Sequence, residues 1–382
     1  MNSKIYPVFA IIILALLIPV KLLKAQEVQQ VMQMSYCEYI YNGIMKRSIV
    51  VWNSMNGESS RYWYDAAEKS WKESASIPNP EIATSEPQPG EVMMKSIEYI
   101  DKGIVKRTVF AWNTKTGETR RYWFNIEAEK WQESESIPKE MIGFEPQKAG
   151  ELMFDYREYV SAGVMKRSLL VWNTSTGKSE RYWFDTGQNS WTASAHIPDN
   201  PLSMDPVEPG RIGMDYDDFV NKGEINRTIL VWDTKTGLSK HYRFDTGKKE
   251  WVVSGSTPDT PFKNNNGKIG EIMMACEENP VSGSMIRSVF IWNTKTGKSA
   301  LYVFNEEDKT WHEKSSVPKN PFGGVDRETG DIMMNFEKYT TAGVDKGSIL
   351  IWHTKTGESL RYWYAPEEDK WHESGSIPTT VF

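Results

Sequence analysis

The feature that most constrains this chain is an internal repeat of 60 residues. Six tryptophans recur at that spacing with no insertion or deletion between them: Trp52, Trp112, Trp172, Trp232, Trp292 and Trp352. A second series runs from Trp71 to Trp371 at the same period, and all 16 tryptophans fall in three repeat columns. A repeat of this length indicates one body built from equivalent units, and not a set of unlike domains.

Each unit is predicted to contain four short strands. In the first unit they cover residues 32–41, 44–53, 60–65 and 70–75, where β-branched and aromatic residues are frequent. Asn42-Gly43 suits a two-residue type I′ turn between the first two strands. In the second unit, Gly117 of the segment Thr114-Lys115-Thr116-Gly117 suits a three-residue hairpin between the next two.

The two-residue turn also predicts a register. It places Tyr41 opposite Ile44, and therefore Glu38 opposite Arg47. The equivalent pairs in the next four units are Glu98 with Arg107, Glu158 with Arg167, Asp218 with Arg227 and Glu278 with Arg287. In the sixth unit both charges are lost together, as Lys338 and Gly347. Joint loss is expected of a paired charge, because an orphan charge on a half-buried strand is costly.

The middle strands are apolar on both faces, which selects the architecture. Ile49 and Val51 point to one side of the sheet, and Val50 and Trp52 to the other. Each small sheet must therefore be covered on both sides. We expect an all-β, six-bladed β-propeller with one four-stranded blade per 60-residue repeat, closed by packing of the last blade on the first. Six independent beads on proline-rich linkers are less favoured, because a sheet of about 45 residues buries too little surface to be stable alone.

The repeats are expected at about residues 30–89, 90–149, 150–209, 210–269, 270–329 and 330–382. The second half of each repeat resembles a kelch repeat in the spacing of Tyr64-Asp65, Trp71 and Pro78, and of the equivalent residues in the other units. Trp52-Asn53 stands where kelch repeats have two glycines. The resemblance implies a kelch-like propeller, and no partner or active site is carried over from it.

The N-terminus is typical of an export signal. Lys4 precedes 16 mostly apolar residues, and a small residue, Ala25, offers a cleavage site. The alternative is an uncleaved anchor, but a stretch of 16 that contains Pro7 and Pro19 falls short of the ~20 residues needed to span a bilayer. We expect a signal peptide at 1–25 and a single domain at 26–382. The mature protein is then periplasmic, secreted or held at the cell surface, with no stable membrane insertion.

Composition excludes several classes of protein. A 39% share of apolar residues rules out wholesale disorder. The net charge of −6 argues against nucleic acid as the main partner. Cys37 and Cys276 lie in units that are not neighbours, so both are predicted to be buried and unbridged.

No metal or cofactor site is predicted. The five histidines are scattered, at His196, His241, His312, His353 and His372, and neither an HExxH nor a CxxC motif occurs. Asp215, Asp217 and Asp218 form a small acidic cluster. A solvated strand edge is favoured over a calcium loop there, because no glycine and bidentate glutamate complete such a loop.

One pair of columns is the best candidate for binding. Its members are Arg61 with Trp63, Arg121 with Trp123, Arg181 with Trp183 and Arg361 with Trp363. An indole offers a face on which sugar C–H groups stack, and a neighbouring arginine donates planar hydrogen bonds. The alternative is that the tryptophan packs between blades while the arginine stacks on it or pairs with an acid. Units four and five deviate: they carry His241 with Arg243 and Leu301 with Val303.

These observations favour an exported, multivalent binding module, with carbohydrate as one expected ligand, because equivalent weak sites gain by avidity. The alternative is an extracytoplasmic scaffold whose partner is a protein. A sugar-processing enzyme is less favoured, since a catalytic pocket gathers unlike residues and this chain repeats one unit.

Overall fold

The computed structural model describes residues 31–145, 148–161, 163–205, 208–221, 224–258, 262, 267–281, 284–318, 322, 327–341 and 344–377. These residues form six four-stranded antiparallel sheets arranged in a ring, with one short 3-10 helix at Lys139–Met141. The fold is the six-bladed all-β propeller that the repeat predicts. The expected signal peptide at 1–25 and the recurring proline at Pro378 lie outside the described residues.

The strands of each blade follow the chain from the axis outward. Blade 1 holds β1 (Met32–Tyr41), β2 (Ile44–Asn53), β3 (Ser59–Asp65) and β4 (Ser70–Glu73). Blade 2 holds β5 (Val92–Asp101), β6 (Ile104–Asn113), β7 (Thr119–Asn125) and β8 (Lys130–Ser134). Blade 3 holds β9 (Leu152–Ser161), β10 (Val164–Asn173), β11 (Ser179–Asp185) and β12 (Ser190–Ser194).

The second half of the ring repeats this order. Blade 4 holds β13 (Ile212–Asn221), β14 (Glu224–Asp233), β15 (Ser239–Asp245) and β16 (Glu250–Gly255). Blade 5 holds β17 (Ile272–Val281), β18 (Ser284–Asn293), β19 (Ser299–Asn305) and β20 (Thr310–Lys314). Blade 6 holds β21 (Ile332–Thr341), β22 (Val344–His353), β23 (Ser359–Ala365) and β24 (Lys370–Glu373).

The turn between the first two strands sets the register as expected. Asn42 and Gly43 both have positive φ, 50° and 73°, which a type I′ turn requires. Tyr41 consequently faces Ile44, and Glu38 faces Arg47.

The next turn is longer than expected. Five residues, and not three, separate β6 from β7. Asn113 organises this loop, because its Oδ1 accepts hydrogen bonds from the backbone N–H groups of Lys115 and Thr116.

Adjacent blades are joined by both apolar packing and the backbone. Val50 and Trp52 of blade 1 pack with Val92 and Met94 of blade 2, and Trp52 Nε1 donates to the Val92 carbonyl at 3.1 Å. The N–H of Val92 donates in turn to the carbonyl of Ser54 at 2.8 Å. The same backbone link recurs at every junction, so the units are not independent beads.

The ring closes without exchange of a strand among the described residues. Met32 N–H donates to the Thr354 carbonyl at 2.7 Å, as at the other five junctions. Met34 and Tyr36 of blade 1 pack with Leu350 and Trp352 of blade 6. Closure therefore rests on face packing, as the sequence predicts.

The innermost strands expose backbone donors toward the axis, and side chains of the preceding blade satisfy several of them. Asp155 accepts from the N–H of Tyr216 at 2.8 Å, and Asp215 from that of Cys276 at 2.6 Å. Asp218 is buried between blades. The prediction that Asp215, Asp217 and Asp218 form a solvated strand edge is therefore wrong, because first strands line the axis of a propeller. Cys37 and Cys276 are buried and free, as expected.

Candidate functional site: clefts between blades

A buried ion pair lies behind the predicted binding column. Arg121 of blade 2 donates from Nη2 to Glu158 Oε1 of blade 3 at 2.7 Å, and from Nε to the Tyr156 hydroxyl at 2.9 Å. The equivalent pairs are Arg61 with Glu98 at 2.5 Å, Arg181 with Asp218 at 3.2 Å and Arg361 with Glu38 at 2.8 Å. Each of these arginines is only 3–4% exposed.

The same acids also hold the predicted cross-strand arginines. Glu38 lies 3.2 Å from Arg47, Glu98 3.8 Å from Arg107 and Glu158 3.3 Å from Arg167. Each carboxylate therefore serves two arginines, one across its own sheet and one from the preceding blade. The two-residue turn predicts only the first of these two contacts. The signal for the second was present, because blade 5 has Leu301 in the arginine column and blade 6 has Lys338 in the acid column.

The electrostatics of these pairs favour the ionised state. Burial alone would raise the pKa of Glu98, but the charges of Arg61 and Arg107 outweigh it, and the pKa lies below its ordinary value. Ser48 adds a hydrogen bond to Glu98 Oε1 at 2.7 Å. Glu98 Oε1 is thus held by both Arg61 and Ser48, as a buried charge requires.

The indoles of the same column lie at the surface. Trp63, Trp123, Trp183 and Trp363 are 36–38% exposed, the highest values among the described tryptophans. Trp63 lies two residues beyond Arg61 on the same face of β3. The two residues of the predicted binding column therefore have different environments. The indole is exposed to solvent, while the guanidinium is buried and bound to an acid of the neighbouring blade. A molecule at the surface meets the indole, and not Arg61.

A different arginine lines the opposite wall of each cleft. Trp63 pairs with Ser48 across its sheet, and Ser48 reaches Glu98 of blade 2. Arg107, the cross-strand partner of Glu98, is 28% exposed and lies over the ring of Phe124 at 5.3 Å. Arg167 lies over Phe184 in the same way at 4.7 Å. The cleft thus presents an indole from one blade and a stacked guanidinium from the next.

The four clefts differ in what lies on the indole. Lys72 lies 5.9 Å from the centroid of Trp63, and His372 stacks on Trp363 at 4.7 Å. Trp123 and Trp183 face Gln132 and Thr192 across the sheet instead. Blades 4 and 5 supply no indole, because Arg243 and Val303 occupy the column.

The axis carries a second feature that the repeat pattern did not reveal. A cavity of about 500 Å³ opens there, with Met93, Met153, Met273 and Met333 among its lining residues. Acids also line it, and burial raises the pKa of Glu337 to about 7. Burial together with the nearby charge of Asp155 raises that of Asp215 to about 7. The methionines share one repeat column, in which Gln33 and Gly213 stand in the other two units, whereas Asp215 and Glu337 come from different columns and do not recur as a pattern.

Comparison with known proteins identifies the fold. The fucose-specific lectin from Aleuria aurantia superposes with a TM-score of 0.62 at 11% identity, over 92% of this chain and 98% of the lectin. Complexes of a variant of that lectin with α-methyl-L-fucoside and with Fucα1-6GlcNAc superpose equally well, with a TM-score of 0.61 each. They share 11% and 10% identity, over 92% and 93% of this chain and 98% of the lectin. The propeller fold is established by the six sheets and by this superposition. No family model and no curated protein matches the sequence, and the kelch-like assignment therefore stays a prediction.

No helix within the described part of the chain has the length and apolar character needed to cross a bilayer.

Proposed function

We propose that this protein binds carbohydrate through the clefts that contain Trp63, Trp123, Trp183 and Trp363. The observation that carries the proposal is the exposure of four equivalent indoles in a ring whose other recurring tryptophans are largely buried. Single exposed hydrophobic residues are common on proteins. Four of them at one structural position, each beside a charged wall, are not scattered surface residues.

The chemistry of the cleft suits a sugar. A pyranose ring has an apolar C–H face that packs on an indole, and hydroxyl groups around its edge that need polar partners. Arg107 and its counterparts provide rigid, planar donors on the opposite wall. The buried pair behind the cleft, such as Arg61 with Glu98, holds both walls in place without occupying the surface.

Fucose-containing glycans are the first ligands to test. The fold shared with the Aleuria aurantia lectin supports this choice, since that protein is described as fucose-specific. Four equivalent sites on one rigid ring would favour glycans displayed on a surface, because linked weak sites bind with gained avidity. Such a role agrees with the export signal expected at 1–25. The mass of the mature protein tests that expectation, with cleavage after Ala25.

A glycan-array screen tests the proposal. The variant that replaces all four cleft tryptophans with alanine should lose binding while keeping its fold, because each side chain is already partly exposed. The matched control is Val303→Ala, which alters the same column in a blade without an indole and should bind as the wild type does. Undiminished binding by the fourfold variant would place the site elsewhere, and absence of any glycan binding by the wild type would refute the proposal.

A protein-interaction scaffold is the second candidate function. Ile44, Ile104 and Val164 are 43–50% exposed at equivalent hairpin tips of blades 1 to 3. Neighbouring exposed apolar residues favour a protein partner. This role predicts capture of one envelope protein that survives free sugar and is lost when the three residues become serine.

A further inference from the structure

The junction between blades 4 and 5 is chemically unlike the others. His241 takes the place of the buried arginine, Cys276 takes the place that Tyr156 has in blade 3, and Glu278 remains as the acid. All three residues are buried, and one ligand atom of each lies within 4.8 Å of the other two. An imidazole nitrogen, a thiol sulfur and a carboxylate oxygen thus converge at one point between two blades.

The hydrogen bonds around His241 leave one ring nitrogen available. In blade 1, Ser74 accepts from Arg61 and donates to the Arg61 carbonyl. Ser254 occupies the same place in blade 4, with Oγ 2.5 Å from His241 Nδ1 and 3.3 Å from the His241 carbonyl. If Ser254 donates to the carbonyl here too, it accepts from Nδ1–H, and the lone pair of a neutral ring lies on Nε2.

A carboxylate lies close to that nitrogen. Nε2 lies 2.9 Å from Glu278 Oε1, but the two atoms lack the alignment of a hydrogen bond, so the lone pair does not point straight at the oxygen. A buried imidazole nitrogen this close to a carboxylate needs a positive charge beside both atoms, supplied either by a ring proton or by a metal ion. The nearby Sγ of Cys276 favours the metal, because a thiol contributes nothing to a histidine–glutamate ion pair.

We propose that His241 Nε2, Cys276 Sγ and a Glu278 carboxylate oxygen bind one divalent transition-metal ion of the zinc class. Zinc accepts this mixed sulfur, nitrogen and oxygen set, whereas calcium and magnesium prefer oxygen alone. Binding forms a metal–thiolate bond and releases the thiol proton to solvent. Ser254 orients the imidazole, and Arg287, 2.7 Å from Glu278 Oε1, orients the carboxylate. The ion would tie blade 4 to blade 5 where the arginine is missing.

Cobalt(II) and zinc(II) are suitable probes. The full chain, kept reduced, is titrated with each ion and is also refolded in its presence, because a buried site exchanges slowly. We expect one ion per chain, a thiolate-to-cobalt charge-transfer band and a higher melting temperature with zinc. Ser254→Ala should weaken binding about 10–100-fold, as loss of an orienting hydrogen bond does.

Two variants decide whether these residues are the ligands. His241→Arg recreates the buried arginine–acid pair of the other junctions, so it should fold and yet lose the ion and the cobalt band. Cys37→Ser removes the other buried thiol and should change neither. Absence of the band in folded wild type, after both titration and refolding, overturns the proposal. An unchanged band in His241→Arg overturns it as well, because the ion is then bound elsewhere.

Discussion

The junction between blades 2 and 3 and the junction between blades 5 and 6 solve the same packing problem with opposite chemistry. In the first, Phe110 stacks on Tyr156 at 4.7 Å, and the tyrosine hydroxyl accepts from Arg121. In the second, Phe290 stacks on Phe336 at 5.4 Å, and Leu301 replaces the arginine. Both junctions keep the stacked aromatic pair. The second lacks the tyrosine hydroxyl and also lacks the arginine that donates to that hydroxyl in the first.

The acid that pairs with the arginine is also replaced at the junction between blades 5 and 6. Glu158 pairs with Arg121 and Arg167, whereas its counterpart in blade 6 is Lys338, which donates to Ser288 of blade 5 at 2.8 Å. The propeller therefore does not need the buried ion pair in order to close. The pair is present at the four junctions that carry an exposed tryptophan, and it is changed at the two that do not. This distribution links the buried arginine to the clefts that we propose to bind carbohydrate.

The largest effect is expected from removal of Arg121. Arg121→Leu leaves Glu158 buried with only the partly exposed Arg167, and should cost roughly 3–5 kcal/mol of unfolding free energy in urea denaturation. Adding Tyr156→Phe, Glu158→Lys and Arg167→Gly copies the junction between blades 5 and 6. The variant with all four substitutions should regain much of the unfolding free energy that Arg121→Leu loses. If it does not, the two junction chemistries are not interchangeable.

An effect of intermediate size is expected from pH. The pKa of Glu337 is raised to about 7 by burial, so the folded state binds its proton more tightly than the unfolded chain does. Stability should therefore fall as the pH rises from about 4.5 to 7. Glu337→Gln keeps an acceptor for Asn335 and removes this penalty, so it should be stabilised by roughly 1–3 kcal/mol at pH 8 and little at pH 5. The exposed Glu367→Gln is the control, and an equal gain at both pH values would contradict the assignment.

The smallest effect on stability is expected from removal of the more exposed of the two arginines that contact each acid. The side chain of Arg107 is 28% exposed and lies 3.8 Å from Glu98, whereas the side chain of Arg61 is 5% exposed and lies 2.5 Å away. Arg107→Met should cost no more than about 1 kcal/mol, as exposed pairs do. Arg61→Met should cost several times more. Equal losses in chemical denaturation would remove the distinction between the buried and the exposed partner of one carboxylate.

Much of the fold could be predicted because it depends on local sequence features, turns and strand patterns, that recur in the six units. The Asn42-Gly43 turn determines the register, and residues such as Ile49 and Val50 require cover on both faces of the sheet. Contacts between blades were harder to predict. The partner of Arg61 is Glu98, 37 residues away in the next unit, and strand periodicity does not report that neighbour. Only the joint change of Leu301 and Lys338 within the chain points to it.

The candidate site was predicted in part for the same reason. Its tryptophans recur and are therefore visible in the sequence, although their exposure is not. The acids of the axial cavity and the cluster of His241, Cys276 and Glu278 arise where units differ, and such differences acquire meaning only when the blades are placed side by side.

The number of sugar sites on one chain tests the central proposal most directly. Isothermal titration with the tightest monosaccharide from the glycan screen should give four sites for the wild type and three for Trp123→Ala, with the melting temperature nearly unchanged. The control Val303→Ala should keep four. A count of six, or a count that stays the same when Trp123 is replaced, would contradict the assignment of binding to the four tryptophan clefts.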